Sequence, residues 1–176
     1  MSSVLVAGST GTLGLALVEA LHAAGHAVHA LARERSVGKL APVRERLAST
    51  RVADGRRPET RAGAFDGVDT VITTIGIGYE AEGLTPDDVD WRCNLHVLEA
   101  AKAAGVRRFV YTSVVGADRD IGVAVLDAKR RFERALQASG LEWTIVRPSG
   151  FYKDLKLFLK MAAKGAVTVF GDGQAR

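Results

Sequence analysis

A doubly wound α/β domain, with one parallel sheet and helices on both faces, is predicted by three features of the sequence. Short β-rich apolar runs alternate with longer helical patterns along the chain. The strand segments read as continuous apolar runs, as parallel strands do when helices cover both faces. A glycine-rich turn, Gly8-Ser-Thr-Gly11-Thr-Leu-Gly14, is wedged between the first strand and the first helix. The expected architecture is a three-layer sandwich forming a single domain over residues 1–176.

The elements follow in order. Val4–Ala7 is the first strand, and Leu13–Ala24 reads as a helix ended by Gly25. His26–Ala32 is the second strand, Val37–Leu47 a weaker helix and Arg51–Ala53 a short third strand. Val68–Ile75 is the fourth strand. Thr85 is placed to cap the next helix, Pro86 suits its first turn, and Asp87 and Asp88 favour the positive end of its dipole. That helix runs to Ala104 and stops at Gly105. Arg108–Ser113 is the fifth strand, Ile121–Ser139 a helix closed by Gly140, and Trp143–Arg147 a sixth strand halted by Pro148. A last helix covers Lys153–Ala163, before Ala166–Phe170 and the turn Gly171-Asp-Gly173.

Composition narrows the function classes. Of the 176 residues 47% are apolar and 25% charged, too apolar a balance for disorder, and the length allows roughly two thirds of the unfolded surface to be buried. There is no apolar run of membrane-spanning length and no secretory pattern at Met1-Ser2-Ser3-Val4. The single cysteine, Cys93, excludes an internal disulfide framework, and the cytoplasm is the expected location. The net charge is +4, with arginine pairs scattered along the chain and no interleaved aromatics, so no nucleic-acid partner is expected.

The turn at Gly8, Gly11 and Gly14 carries the most chemistry. Glycine permits positive φ and lets backbone amides approach a pyrophosphate, while the following helix offers its N-terminal N–H groups and dipole to the anion. Its place between strand and helix at the first crossover points to a dinucleotide. The end of the second strand then chooses between NAD and NADP. It reads Leu31-Ala32-Arg33-Glu34-Arg35, and a guanidinium at Arg33 can take a 2′-phosphate bidentately. NADP is therefore preferred over NAD, although Glu34 leaves a ribose-binding alternative open. Arg35 and Lys39 add positive charge nearby.

Taken together, several segments resemble the atypical short-chain dehydrogenase/reductases, in the branch with NmrA-like and isoflavone-reductase-like proteins. They are residues 4–14, Val-Asp-Thr-Val-Ile at 68–72, Asp90-Trp-Arg-Cys-Asn94, Ala-Gly-Val-Arg-Arg-Phe-Val-Tyr-Thr-Ser at 104–113 and Trp-Thr-Ile-Val-Arg-Pro-Ser-Gly-Phe at 143–151. The resemblance implies a Rossmann-type fold with NAD(P) lying over the carboxyl ends of the strands. By that likeness Gly8, Thr10, Gly11, Thr12, Leu13 and Gly14 line the pyrophosphate, Arg33 the 2′-phosphate and Asp54 the adenine. Thr74, Ile75 and Gly76 pass under the adenosine ribose. Thr112, Ser113 and the turn Pro148-Ser149-Gly150-Phe151 lie near the nicotinamide.

Dehydrogenases of this family use a Tyr-x-x-x-Lys pair on the helix after the fifth strand. Lys129 takes the lysine position, Val125 stands where the tyrosine belongs, and Ser113 falls at the family's serine. A valine transfers no proton. Three readings follow. The chain is a reductase whose small-molecule acceptor (a quinone, flavin or carbonyl) needs no tyrosine, with Lys129 on the nicotinamide ribose and Ser113 orienting the substrate. Alternatively it is a non-catalytic NADP-binding sensor or regulator. In the third reading Tyr79, Tyr111 or Tyr152 substitutes from outside the helix.

Other groups carry less. His22 and His26 have i, i+4 spacing but no convergent ligands, so no metal is expected. The acidity of Asp87, Asp88 and Asp90 suits a helix N-terminus, and Cys93 is expected to be packed. Relatives of this kind continue beyond a Phe-Gly-Asp-Gly turn into a small substrate-covering region, whereas this chain stops at Arg176. The substrate region is thus expected to be truncated, and the sheet edge so exposed would favour a homodimer.

Overall fold

The computed structural model describes residues 1–54, 56–57, 60, 62–77 and 83–167, with the side chains of 153, 154 and 157 left aside. Six strands form one parallel sheet: β1 (Ser3–Ala7), β2 (Ala27–Ala32), β3 (Ser49–Val52), β4 (Thr70–Thr73), β5 (Arg108–Thr112) and β6 (Glu142–Val146), in the order β3-β2-β1-β4-β5-β6. The helices are α1 (Thr12–Ala23), α2 (Asn94–Ala103), α3 (Ala124–Gln137) and α4 (Tyr152–Ala162). The strand order reverses between β1 and β4, which opens a crevice above their carboxyl ends. This is the doubly wound, Rossmann-type sheet. Most of the segment Ala166–Phe170 and the turn expected after it lie outside the described residues.

Alternation along each strand feeds two cores. Leu5 and Ala7 turn to one face and meet Val71, Phe109, Tyr111, Phe132 and Leu136 with the helices α2 and α3. Val6 turns to the other, with Val28, Ala30 and Ala32 under α1 (Val18) and the segment that follows β2 (Leu40, Val43). Each face is dry along β1, which explains the unbroken apolar reading of that strand.

Two elements differ from expectation. The segment expected as a helix over Val37–Leu47 is a 3-10 run, Glu34–Arg46, with Pro42 inside it. Proline removes a backbone donor and clashes with an α-turn, and Val37, Leu40 and Val43 recur every three residues, the 3-10 period. The helix from Thr85 opens as expected with a reciprocal cap. The Asp88 N–H donates to Thr85 Oγ1 at 3.2 Å, and the Thr85 N–H donates to Asp88 Oδ2 at 3.0 Å. Its first turns, Asp87–Cys93, are π-helical rather than α. Asn94 is the cause: its Nδ2 donates to the Asp90 carbonyl at 3.0 Å and to the Val89 carbonyl at 3.4 Å, intruding on the ladder. Among the described residues no helix is long and apolar enough to cross a membrane.

Candidate coenzyme site

The first turn is held by backbone and side-chain hydrogen bonds to the ends of two strands. Gly8 has φ of 83°, in the left-handed region, and its carbonyl accepts the Gly11 N–H at 3.0 Å. The buried Ser9 hydroxyl donates to the Leu31 carbonyl at 3.0 Å, tying the turn to the end of β2. Thr74 Oγ1 donates to the carbonyls of Ala7 and Gly8 at 3.3 and 3.2 Å, tying it to the end of β4. Gly14 lies beneath the turn. A Cβ there would collide with the Gly8 carbonyl and come within 2.7 Å of Ser9 Cα, so this glycine lets α1 approach the strand instead of lining the cavity. Gly11 precedes α1 with no side-chain cap, so the helix N-terminus is left to an external acceptor.

Two cavities meet at this turn and share Thr10, Gly11, Lys39 and the Thr74–Ile77 stretch. One, of about 330 Å³, runs towards β2 and β3 and is lined by Gly8, Arg33, Arg35, Asp54, Arg56 and Cys93 among others. The other, of about 890 Å³, runs towards β5 and is lined by Thr12, Leu13, Ala16, Asp90, Thr112, Ser113, Val114, Val125, Lys129, Pro148, Gly150, Phe151 and Tyr152. The residues read from the sequence thus gather in one two-ended trench across the switch point. Gly14, packed beneath the turn, and Ser149, which is exposed, lie outside both linings. Arg35 and Lys39, read from the sequence as nearby positive charge, line the trench, and Arg56 and Asp90 are lining residues that the sequence did not single out for the site.

The two ends differ in charge. Arg33, Arg35, Lys39 and Arg56 surround the β2 end. Asp54 there is partly buried, which pushes its carboxyl up. The hydrogen bonds and charge of Arg56, with the Arg33 charge, outweigh that and hold it below the usual carboxylate range. Cys93 is the opposite case: burial, with the Asp54 charge, pushes its thiol up to about 11, so it is a packed thiol and no nucleophile.

At the β5 end, Lys129 Nζ lies 2.9 Å from Asp90 Oδ1 and 3.5 Å from the Tyr111 hydroxyl. Val125 lines the same cavity one helical turn before Lys129, as the sequence spacing requires. Ser113 Oγ is buried without a hydrogen-bond partner, an orphaned donor facing this cavity. Its backbone N–H donates to the Val146 carbonyl at 2.8 Å, and the Val115 N–H to the Pro148 carbonyl at 3.0 Å, fixing the Pro148 turn against β5. Arg147 is held to the buried Glu133 at 2.9 Å through Nε, which ties the same turn to α3.

The tyrosines separate cleanly. Tyr111 is wholly buried against Phe132, and burial, then the Asp90 and Glu133 carboxylates, push its phenol far above the ordinary value. It lines neither cavity. Tyr152 lines the cavity from the first turn of α4 and is 91% exposed. Tyr79 lies outside the described residues. Among the described residues no group of three or more His, Cys, Asp or Glu is gathered to hold a metal.

A dinucleotide fits this trench. The uncapped helix end suits a pyrophosphate, the arginine-lined end suits a phosphorylated adenosine, and the orphaned Ser113 hydroxyl with Lys129 offers donors at the other end. Comparison with known proteins agrees. The family of NAD(P)H-binding proteins matches the chain over residues 8–169. The photosystem II assembly factor Ycf39 of Synechocystis is 34% identical over 152 residues, 86% of this chain and 46% of its own. The NAD(P)H azoreductase of Xenophilus azovorans is 34% identical over 155 residues, 88% and 50% of the two chains. Among solved structures, the NADPH-dependent quinone oxidoreductase of Escherichia coli, complexed with NADPH, is 25% identical with a TM-score of 0.73, covering 92% of this chain and 54% of its own. The Citrobacter triphenylmethane reductase complexed with NADP(H) is 25% identical with a TM-score of 0.71, covering 93% and 55%. The chain spans about half the length of the curated relatives it matches. By sequence, by fold and by the trench across its switch point, the chain belongs to the NAD(P)H-binding family of atypical short-chain dehydrogenase/reductase type.

Proposed function

We propose that the protein is a reductase, using NADPH in preference to NADH, that delivers hydride to a conjugated small-molecule acceptor. The observation that carries this reading is the β5 end of the trench, where Lys129 and Ser113 are kept while Val125 replaces the phenol that would donate a proton. When bound, the nicotinamide supplies the hydride. Lys129 and Ser113 then act as donors that hold the ribose and orient the acceptor, and Leu13, Val125 and Phe151 give the acceptor an apolar wall. An acceptor such as a quinone or flavin suits such a site. The negative charge left by hydride delivery spreads over its rings, and its proton comes from water. The azoreductase, quinone oxidoreductase and triphenylmethane reductase among the similar proteins, named for conjugated substrates, support this class. The buried Cys93 suits a reducing compartment, in keeping with a cytoplasmic location.

A second reading, a coenzyme-binding regulator that performs no chemistry, is favoured by the absent phenol and by the likeness to assembly factors. One series of measurements separates the two. Calorimetric titration with NADPH and NADH should show NADPH binding more tightly. Arg33→Ala should weaken NADPH by about 2 kcal/mol, roughly thirtyfold, and leave NADH unchanged, since only the 2′-phosphate loses a charge-assisted pair. A reductase then oxidises NADPH when quinones or flavins are added. Binding without oxidation across that set selects the regulator, and no binding of either nucleotide removes both readings.

A further inference from the structure

We propose that Asp90 is a positioning residue for Lys129, its buried carboxylate fixing the ammonium at the β5 end of the trench, where it holds the nicotinamide-side ribose of a bound coenzyme. The inference rests on the coenzyme reading above and goes beyond it. Asp87 and Asp88 behave as acidic residues at a helix start do: Asp87 pairs outward with Arg92 and Arg131, and Asp88 closes the cap with Thr85. Asp90 turns inward and is fully buried. Its Oδ1 meets Lys129 Nζ at 2.9 Å and its Oδ2 accepts the Ile77 N–H at 3.1 Å, so one carboxylate joins α3 to the stretch leaving β4.

The carboxylate is itself aimed. Asn94 Nδ2 donates to the Asp90 carbonyl, and Asn94 Oδ1 accepts the Thr73 hydroxyl at 2.7 Å, which anchors the π-helical turn to β4. Gly76 closes over the pair: a Cβ there would lie 3.2 Å from Asp90 Oδ1 and 3.5 Å from Lys129 Nζ. An ammonium has three donors. The charge pairs with Asp90 as an ion pair at 2.9 Å, the hydrogen bond to the Tyr111 hydroxyl is long at 3.5 Å, and Lys129 also lines the cavity, so the ammonium keeps donor capacity for a ligand. With valine at position 125 no phenol shares the ammonium from the cavity side, so Asp90 sets its direction. A buried pair serving stability alone has no need to line the trench, and both of these residues do.

The test compares two ligands by calorimetry on the whole chain. NADPH spans the trench, whereas adenosine 2′,5′-bisphosphate occupies only its arginine-lined end. Asp90→Asn should weaken NADPH roughly tenfold and leave the bisphosphate within about twofold. Lys129→Met should show the same selective loss, and the double variant should bind NADPH no more weakly than Lys129→Met alone. Equal weakening of both ligands in Asp90→Asn would mark a merely structural role and overturn the proposal, as would unchanged NADPH binding or additive losses in the double variant. Should Asp90→Asn fail to fold, the double variant removes both charges at once; it should keep the bisphosphate and weaken NADPH by the same tenfold or so, and NADPH binding at wild-type strength would sink the idea. Failure of the coenzyme reading is seen separately, as a wild-type chain that binds neither ligand, and it would overturn this proposal as well.

Discussion

At the scale of single residues, two of the three glycines of the first turn differ: Gly14 shapes the fold, and Gly11 leaves room beside the helix end. Gly14 has no room for a Cβ, because the Gly8 carbonyl and Ser9 backbone fill that space, whereas a Cβ on Gly11 would meet its nearest neighbour, the Gly8 carbonyl, at 3.4 Å. Gly14→Ala should therefore cost about 3 kcal/mol of stability as α1 is pushed off β1. Gly11→Ala should leave stability nearly unchanged while weakening NADPH, since its methyl would enter the cavity at the uncapped helix end proposed for the phosphates. Thermal unfolding and NADPH titration of both variants check this, and equal losses of melting temperature would refute the division. The three glycines were legible from the sequence as a dinucleotide turn because their spacing reports backbone geometry directly. Asp90 was not legible as more than helix-start acidity, because an inward and an outward aspartate look alike until a neighbouring turn is known to be widened.

That widening belongs to the scale of elements. A π-helical start is set by one side chain, Asn94, competing for backbone carbonyls, and no apolar periodicity announces it. The 3-10 run after β2 was better marked, by Pro42 and a three-residue apolar spacing, yet its length suits an α-helix equally well. Helix α3 shows what periodicity does capture. Ala128, Phe132 and Leu136 form a buried stripe at four-residue steps, and Lys129 and Glu133 flank it, each held by a partner, Asp90 and Arg147. Phe132 is the stripe's largest member, fully buried, with its ring 4.5 Å from Tyr111 edge to face and 6.0 Å from Phe109. Phe132→Ala should lose about 4 kcal/mol, the transfer free energy plus a cavity that β5 is too rigid to close. Urea unfolding should show a lower midpoint at unchanged slope, and a loss below about 1 kcal/mol would mean that α3 is not anchored here.

For the molecule as a whole, the described residues cover the sheet unevenly, and stability should follow the covering. β1 pairs on both sides and sends side chains into both cores, so its Leu5, Val6 and Ala7 are fully buried. β6 pairs with β5 alone among the described residues, and Trp143 and Val146 on it stay nearly half exposed. Helix α4 follows the same trend: Leu155, Phe158 and Leu159 are all exposed, and none of its described residues is buried. Local opening costs the free energy of the contacts it breaks, so the thinly covered side should open without the rest. Amide hydrogen exchange should then be slowest in β1 and β4, which hold the phosphate turn, and much faster in β6 and α4. If NADPH binds across the trench as proposed, it should slow exchange around Gly8 and Ser113 most, since these residues line its two ends. Protection of β6 equal to that of β1 in the nucleotide-free chain would show that something covers this side in solution. A second copy is one candidate, since the edge of β6 has no partner among the described residues and an open strand edge is a template for pairing. Light scattering would then find a dimer, and Trp143→Glu would return a monomer with a fast-exchanging β6.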